Sequence, residues 1–593
     1  MQTQRLCPLL AILLIPGWVF AQANTDAAKE KQARLISLAD DVIAEIPNLR
    51  LAENRAYAYA QAGRVVFDRD QKRGHSLYQS AGTELLAASD ASDARPATSP
   101  YRDRSGSNNL RQQILNTIGE KDASFALDLL VRTRPPEVVK AMTTSKERSA
   151  KISDYNQNST YLIQNETYLE QNLYRLAAEQ DPDRAVVILR TALSKSLSTE
   201  TYNQLERLAE KDLSAAAEMS SQVVKKVINE SFVRDGQPVY ANVQLTTQIL
   251  STTINNDPGS KLKFEANDVQ ALLAKAISSY LSDPAARGYF ASSLPMYVEK
   301  LAPAFIQQVK LVSADQPGAN APPVEAAYQK LIQSDTPPDQ MLASANKFPM
   351  NYRRQIYETA ANKLLNQGNA DAARAVLAEN FDGEAGDQLL ANFDQQYADR
   401  LMTQAKFDQA ETVINGLPEY ARSGMLIQLA SRAFGKDNNE NRTYAINLLS
   451  RARALIGDRP ENNYQMSSIM SLISAMAQID PDRAIGMYEA LIPQINQLAE
   501  ASAIVVGFQN ESGVRDGEFV MTQGGPLAMF GAHAAMFGQF ANADIGRTIH
   551  LIDSFSRPEV RVSLKLQTLA NGQTYVSIPL SRPVRGRGGV ITF

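Results

Sequence analysis

The stretch Gln180–Leu193, "QDPDRAVVILRTAL", has a near copy at Ile479–Ile492, "IDPDRAIGMYEALI". Both contain the pentapeptide Asp-Pro-Asp-Arg-Ala, and both follow an apolar helical end, "LYRLAAEQ" from Leu173 and "LISAMAQI" from Leu472. Each residue of the pentapeptide suits a helix start. Asp181 and Asp480 are N-cap residues that accept from free first-turn amides. Pro182 and Pro481 suit the first helical position, where no amide hydrogen is needed. Asp183 and Asp482 complement the positive end of the helix dipole. Ala185 and Ala484 then open a buried face. It runs on through Ile188, Leu189, Ala192 and Leu193 in one copy, and through Met487, Tyr488, Leu491 and Ile492 in the other. That is the spacing of an amphipathic helix.

Relaxed to a polar starter, three residues and a small residue, the pattern recurs. It is present from Asp122 (Ala126, Leu129, Leu130), Asp212 (Ala216, Met219), Asn369 (Ala373, Val376, Leu377), Lys406 (Ala410, Val413, Ile414) and Asn441 (Ala445, Leu448, Leu449). From Asn542, Gly546 takes the small position. Neighbouring copies start 31 residues apart at Asp181 and Asp212, and 39 apart at Asn441 and Asp480. A second element, Pro-Glu, precedes a longer helix at Arg134, Leu417, Arg459 and Arg557, stopping one helix and opening the next. Pro-Glu, long helix, polar turn and Ala-helix together form a hairpin unit. In its period and its close-contact alanine the chain resembles the tetratricopeptide class of helical repeats. That resemblance implies an all-α fold: a right-handed-type α-solenoid of antiparallel helix hairpins, in two arrays.

The organisation expected is a signal peptide at 1–23, an N-terminal array at 24–312, a linker at 313–325 ("SADQPGANAPPVE") and a C-terminal array at 326–506. A Gly-rich insertion with an Ala/Met/Phe helix follows at 507–541, then a terminal helical hairpin at 542–573 and an irregular basic tail at 574–593. A breaker-rich stretch at 89–109 reads as a loop, and strand-like alternation is limited to pieces such as "GEFVM" from Gly517 and "TYVSI" from Thr574.

At the N-terminus, Arg5, an apolar run from Leu9 to Phe20 and Ala21-Gln22-Ala23 read as a secretory signal cut after Ala23. The run is shorter than the roughly 20 residues a bilayer span needs. The expected protein is exported, periplasmic or secreted, and not membrane-spanning. The single cysteine, Cys7, leaves with the signal, so disulfides and thiolate metal sites are excluded from the mature chain. With 60 Lys and Arg against 64 Asp and Glu, the charge balance argues against a nucleic-acid partner.

Candidate chemistry is sparse. Of the three histidines, His75, His533 and His550, no two have metal-ligand spacing, and His550 is expected to be partly buried. No phosphate-cradling or dinucleotide fingerprint is present, so no cofactor is expected. "NESG" at Asn510–Gly513 resembles the Glu-Ser start of the catalytic segment of soluble lytic transglycosylases, and "FVMTQGGP" from Phe519 resembles their Gly-Leu-Met-Gln element. That resemblance implies an envelope-polysaccharide-cleaving enzyme with Glu511 as general acid. The block is incomplete, however. The leading expectation is therefore a non-catalytic scaffold that binds protein or peptide partners on a concave face. In the tail, Arg582, Arg585 and Arg587 lie among glycines and suit contact with an anionic surface.

Overall fold

The computed structural model describes residues 16–93, 104–136, 138–139, 156–195, 197–234, 237–255, 261–314, 323–333, 336–436, 441–509, 513–521 and 534–576. The fold is all-α. Among the described residues, strand is confined to two antiparallel ladders, Val233–Arg234 with Gln237–Pro238 and Val514–Arg515 with Glu518–Phe519. The chain divides into two compact units. One spans Ala52–Pro322, and the other joins Met1–Leu51 to Pro323–Phe593.

The helix starts follow the chemistry of their caps. Asp122 accepts from the Phe125 amide, Asp212 from the amides of Ser214 and Ala215, and Asn369 from that of Ala372. Four residues after these starters, Ala126, Ala216 and Ala373 are fully buried, as are Ala410 and Ala445 in their copies. The two Asp-Pro-Asp-Arg-Ala copies differ. Pro481 begins the helix Pro481–Gln509 directly, whereas Pro182–Arg184 form a turn and the helix Ala185–Lys195 starts at the alanine. Ala185 and Ala484 are nonetheless equally buried.

One copy sits in a different register. Asp544, not Asn542, caps the helix Ile545–Asp553, accepting from the Arg547 amide at 3.0 Å. Thr548 therefore occupies the small position in place of Gly546, and Leu551 and Ile552 point inward. Another copy escapes the alanine pattern altogether. Asp70 accepts from the Arg73 amide at 2.9 Å, and four residues on stands Gly74. A Cβ there would lie 2.8 Å from the Cα of Phe67, so the helices Ala52–Phe67 and Gln71–Asp93 meet at backbone distance. Only glycine fits so close an approach.

In the unit Ala52–Pro322, hairpins pair Ala52–Phe67 with Gln71–Asp93, Arg104–Gly119 with Ala123–Arg132, Asn156–Gln180 with Ala185–Lys195, and Thr201–Lys211 with Leu213–Asn229. First helices also pack on one another, Ala52–Phe67 on Arg104–Gly119 and the latter on Asn156–Gln180. The apolar core continues through Leu245, Leu272, Phe290 and Val309. Between hairpins lies a buried ion network: Arg111 donates to both oxygens of Glu166, which also accepts from Arg134 at 2.7 Å. The helices Gln71–Asp93 and Arg104–Gly119 extend into both ends of the stretch read as a loop at 89–109.

In the second unit the same plan runs through Met350–Asn366 with Ala370–Asn380, Gly383–Thr403 with Phe407–Asn415, Glu419–Lys436 with Arg442–Ile456, and Asn463–Ile479 with Pro481–Gln509. Successive first helices touch: Gly383–Thr403 packs on Glu419–Lys436, that helix on Asn463–Ile479, and the latter on Ala534–Ala543. The last of the described helices, Pro558–Val576, includes Thr574–Val576, so the strand-like "TYVSI" begins as helix. Against it packs the helix Pro16–Glu45, at the far end of the sequence. The residues from 24 to Leu51, expected at the head of the N-terminal array, thus group with the C-terminal segment.

Candidate functional site

The residues singled out from the sequence scatter. Asp181 and Asp480 belong to different units, and each accepts from the amide three residues on, Arg184 at 3.2 Å and Arg483 at 3.3 Å. Each is a helix-start residue. His75 lies with its Nδ1 2.8 Å from Asp122, whose other oxygen caps Phe125, so this pair reinforces a cap. His550 is exposed rather than partly buried, because it falls on the outer side of the last turn of Ile545–Asp553. Glu511, His533, Arg582, Arg585 and Arg587 lie outside the described residues. Among the described residues, no group of His, Cys, Asp or Glu could hold a metal ion, and no helix is long and apolar enough to cross a membrane.

An open cleft of 410 Å³ in the unit Ala52–Pro322 is edged by Ser194, Lys225, Lys226 and Glu230. Burial lowers the Lys226 pKa against the opposing charge of Glu230. Its ammonium donates to the Ser194 carbonyl at 2.9 Å, closing the C-terminal end of the helix Ala185–Lys195. That is a capping arrangement.

The insertion is folded where it is described. Asp516 and Gly517 have φ of 49° and 74°, the left-handed pair that a two-residue hairpin turn requires. The turn is gripped by two arginines. Arg50 donates to the Asp516 carbonyl at 3.0 Å, and Arg557 donates to the Gly517 carbonyl. Arg557 also donates to Glu559 at 2.7 Å and Glu500 at 2.9 Å, with its guanidinium 4.6 Å from the Phe519 ring centre. Glu559, only 2% exposed, accepts as well from the Phe519 amide. Buried carboxylates are tolerable when their oxygens are paired in this way.

A third region is open to solvent. Tyr420 and Tyr464 stand at the first turns of two neighbouring helices, Glu419–Lys436 and Asn463–Ile479, and are 53% and 66% exposed. The Tyr464 hydroxyl reaches to 3.5 Å from the Tyr420 carbonyl, so the Tyr464 side chain crosses to the start of the neighbouring helix. Further along run Gly424 and Gln428 on one helix, and Ser467, Ser471 and Gln478 on the other, all exposed. No atom would meet a Cβ at Gly424 within 4 Å. The helix Asn463–Ile479 carries no charged residue. Arg432, on the helix Glu419–Lys436, is engaged by Asp399 at 2.6 Å and Thr403 at 2.7 Å on the preceding first helix. Ser471 donates to the Ser467 carbonyl and Ser468 to the Tyr464 carbonyl, so these hydroxyls present lone pairs outward.

No protein-family model matches this sequence, and no curated protein matches it at a significant level.

Proposed function

We propose that the protein is an exported, non-catalytic scaffold: an α-solenoid of tetratricopeptide-like hairpins in two arrays, binding protein or peptide partners along its first helices. The observation that carries this reading is the exposed pair Tyr420 and Tyr464 in the first turns of adjacent first helices, set among exposed Ser, Gly and Gln. Tyrosine offers a large, rigid, amphipathic contact at small entropic cost, while serine and glycine adapt around it; protein-recognition surfaces favour that composition. The packing of first helix on first helix supports a continuous surface. The signal-like segment to Ala23 supports export, with Asn24 first once it is removed.

The test is affinity capture from exported proteins with the mature chain, beside a Tyr420→Ala/Tyr464→Ala variant of unchanged helical content. The expected result is a partner retained by the parent and lost by the variant. An identical set of captured proteins would sink the assignment of the binding face. Mass measurement of the exported chain checks the cut: a mature chain that does not begin at Asn24 overturns the processing step.

A further inference from the structure

We infer that the hairpin Val514–Phe519 is a clasp that fastens the N-terminal segment Leu35–Leu51 to the C-terminal helices of the same unit. The inference rests on the buried network and not on the proposed binding face.

The helix Pro16–Glu45 packs on Pro558–Val576, its Leu35, Leu38 and Val42 are all buried, and Lys31 donates to Asn542 at 2.7 Å. At its end Glu45 accepts from Lys565, which is also 2.7 Å from Asp553. Burial works against the Lys565 ammonium, but the hydrogen bonds and charges of Asp553 and Glu45 outweigh it and hold the pKa above the ordinary lysine value. After the short 3-10 turn Ile46–Asn48, the chain leaves this unit at Leu51. There the Glu518 carboxylate, on a residue 5% exposed, takes the Arg50 amide at 2.6 Å and lies 3.5 Å from the Leu51 amide. A buried carboxylate that accepts backbone amides satisfies both sides at once.

The dependence has a direction. The hairpin is held to the C-terminal helices by Arg557, Glu559 and the side of the long helix at Gly507, where a Cβ would sit 3.3 Å from Val514. Those contacts do not involve the N-terminal segment. The end of that segment, by contrast, meets its unit through Glu518 and the Asp516 carbonyl. Separations of 466 to 520 residues between partners mean that no local turn brings the segment back. The closure must be held by the contacts themselves.

Hydrogen exchange on the full mature chain tests this. Glu518→Gln removes the charge and replaces one of the two acceptor oxygens that face the Arg50 and Leu51 amides with a donor. Exchange in peptides from 35 to 51 should rise about ten-fold, with peptides in Gly383–Thr403 and Asn463–Ile479 unchanged. Leu38→Ala should loosen the same N-terminal peptides while 513–521 stays protected. Unchanged exchange at 35–51 in Glu518→Gln overturns the clasp. So does a rise across the whole unit, or loosening of 513–521 by Leu38→Ala to the same extent as 35–51.

Discussion

The turn of the Val514–Phe519 hairpin and the Tyr420/Tyr464 face lie in one unit and are both built from polar groups, yet their polar atoms are spent differently. Around the hairpin, Arg557, Glu559 and Glu518 are buried and directed at one another or at backbone. On the helical face, two tyrosines and a run of serines and glutamines stand in water. The first arrangement holds the fold, because removing one partner strands a charge out of water. The second contributes little to the fold, which is why recognition is proposed there. The largest expected effect follows from the first half of that contrast. Arg557→Met should leave Glu559 without its cation and lower stability by about 3 kcal/mol, read by chemical denaturation. A loss below about 1 kcal/mol, typical of exposed pairs, would erase the distinction between the two regions.

Intermediate effects belong to the helix contacts that carry both regions. Ala484→Leu and Ala185→Leu should each overpack a helix–helix contact and cost roughly 1 to 3 kcal/mol in thermal or chemical melts. Neutral outcomes at both would show that the small residue is not the point of closest approach. The caps should separate the twin pentapeptides. Asp480, 19% exposed at its side chain, caps a helix that begins at once and sits near Arg483 and Arg442. Asp181, 43% exposed, caps a turn. Asp480→Ala should therefore cost about 1 kcal/mol, and Asp181→Ala measurably less. Equal costs would mean that the pentapeptide acts alone, whatever the helix start that follows it.

Much of the hairpin plan was legible because caps and close contacts are local. An Asp or Asn, and a small residue four positions later, locate a helix and its buried face. Where two cap-forming residues compete, that logic lost its register. Asn542 and Asp544 both qualify, and Gly546 mimics the small residue, but only Asp544 turns Leu551 and Ile552 inward. The Asp70 copy was hidden because Gly74 replaces alanine. The hairpin had readable signals in Asp516-Gly517 and in the alternation of "GEFVM", but its strands are two residues each, too short to fix their pairing. Neither the pairing of the helix Pro16–Glu45 with Pro558–Val576 nor the proposed binding face had a local signature. A tyrosine at a helix start has the same spacing whether it faces core or water, and contacts across 511 residues leave no periodic trace.

The smallest stability effect is the most informative one about function. Tyr464 makes a long 3.5 Å approach to the Tyr420 carbonyl, and two thirds of it is exposed. Truncation to alanine removes no buried area of consequence, and alanine is the better helix former, so the change in stability should stay within about 0.5 kcal/mol. If the ring is instead a contact residue for a partner, the same substitution should weaken binding about ten-fold or more, because aromatic anchors carry a large share of binding energy. The two readouts must diverge for the contrast with Arg557 to hold. A Tyr464→Ala variant that melts early would place the tyrosine among the structural residues, and one that melts normally and still binds would move recognition to another face.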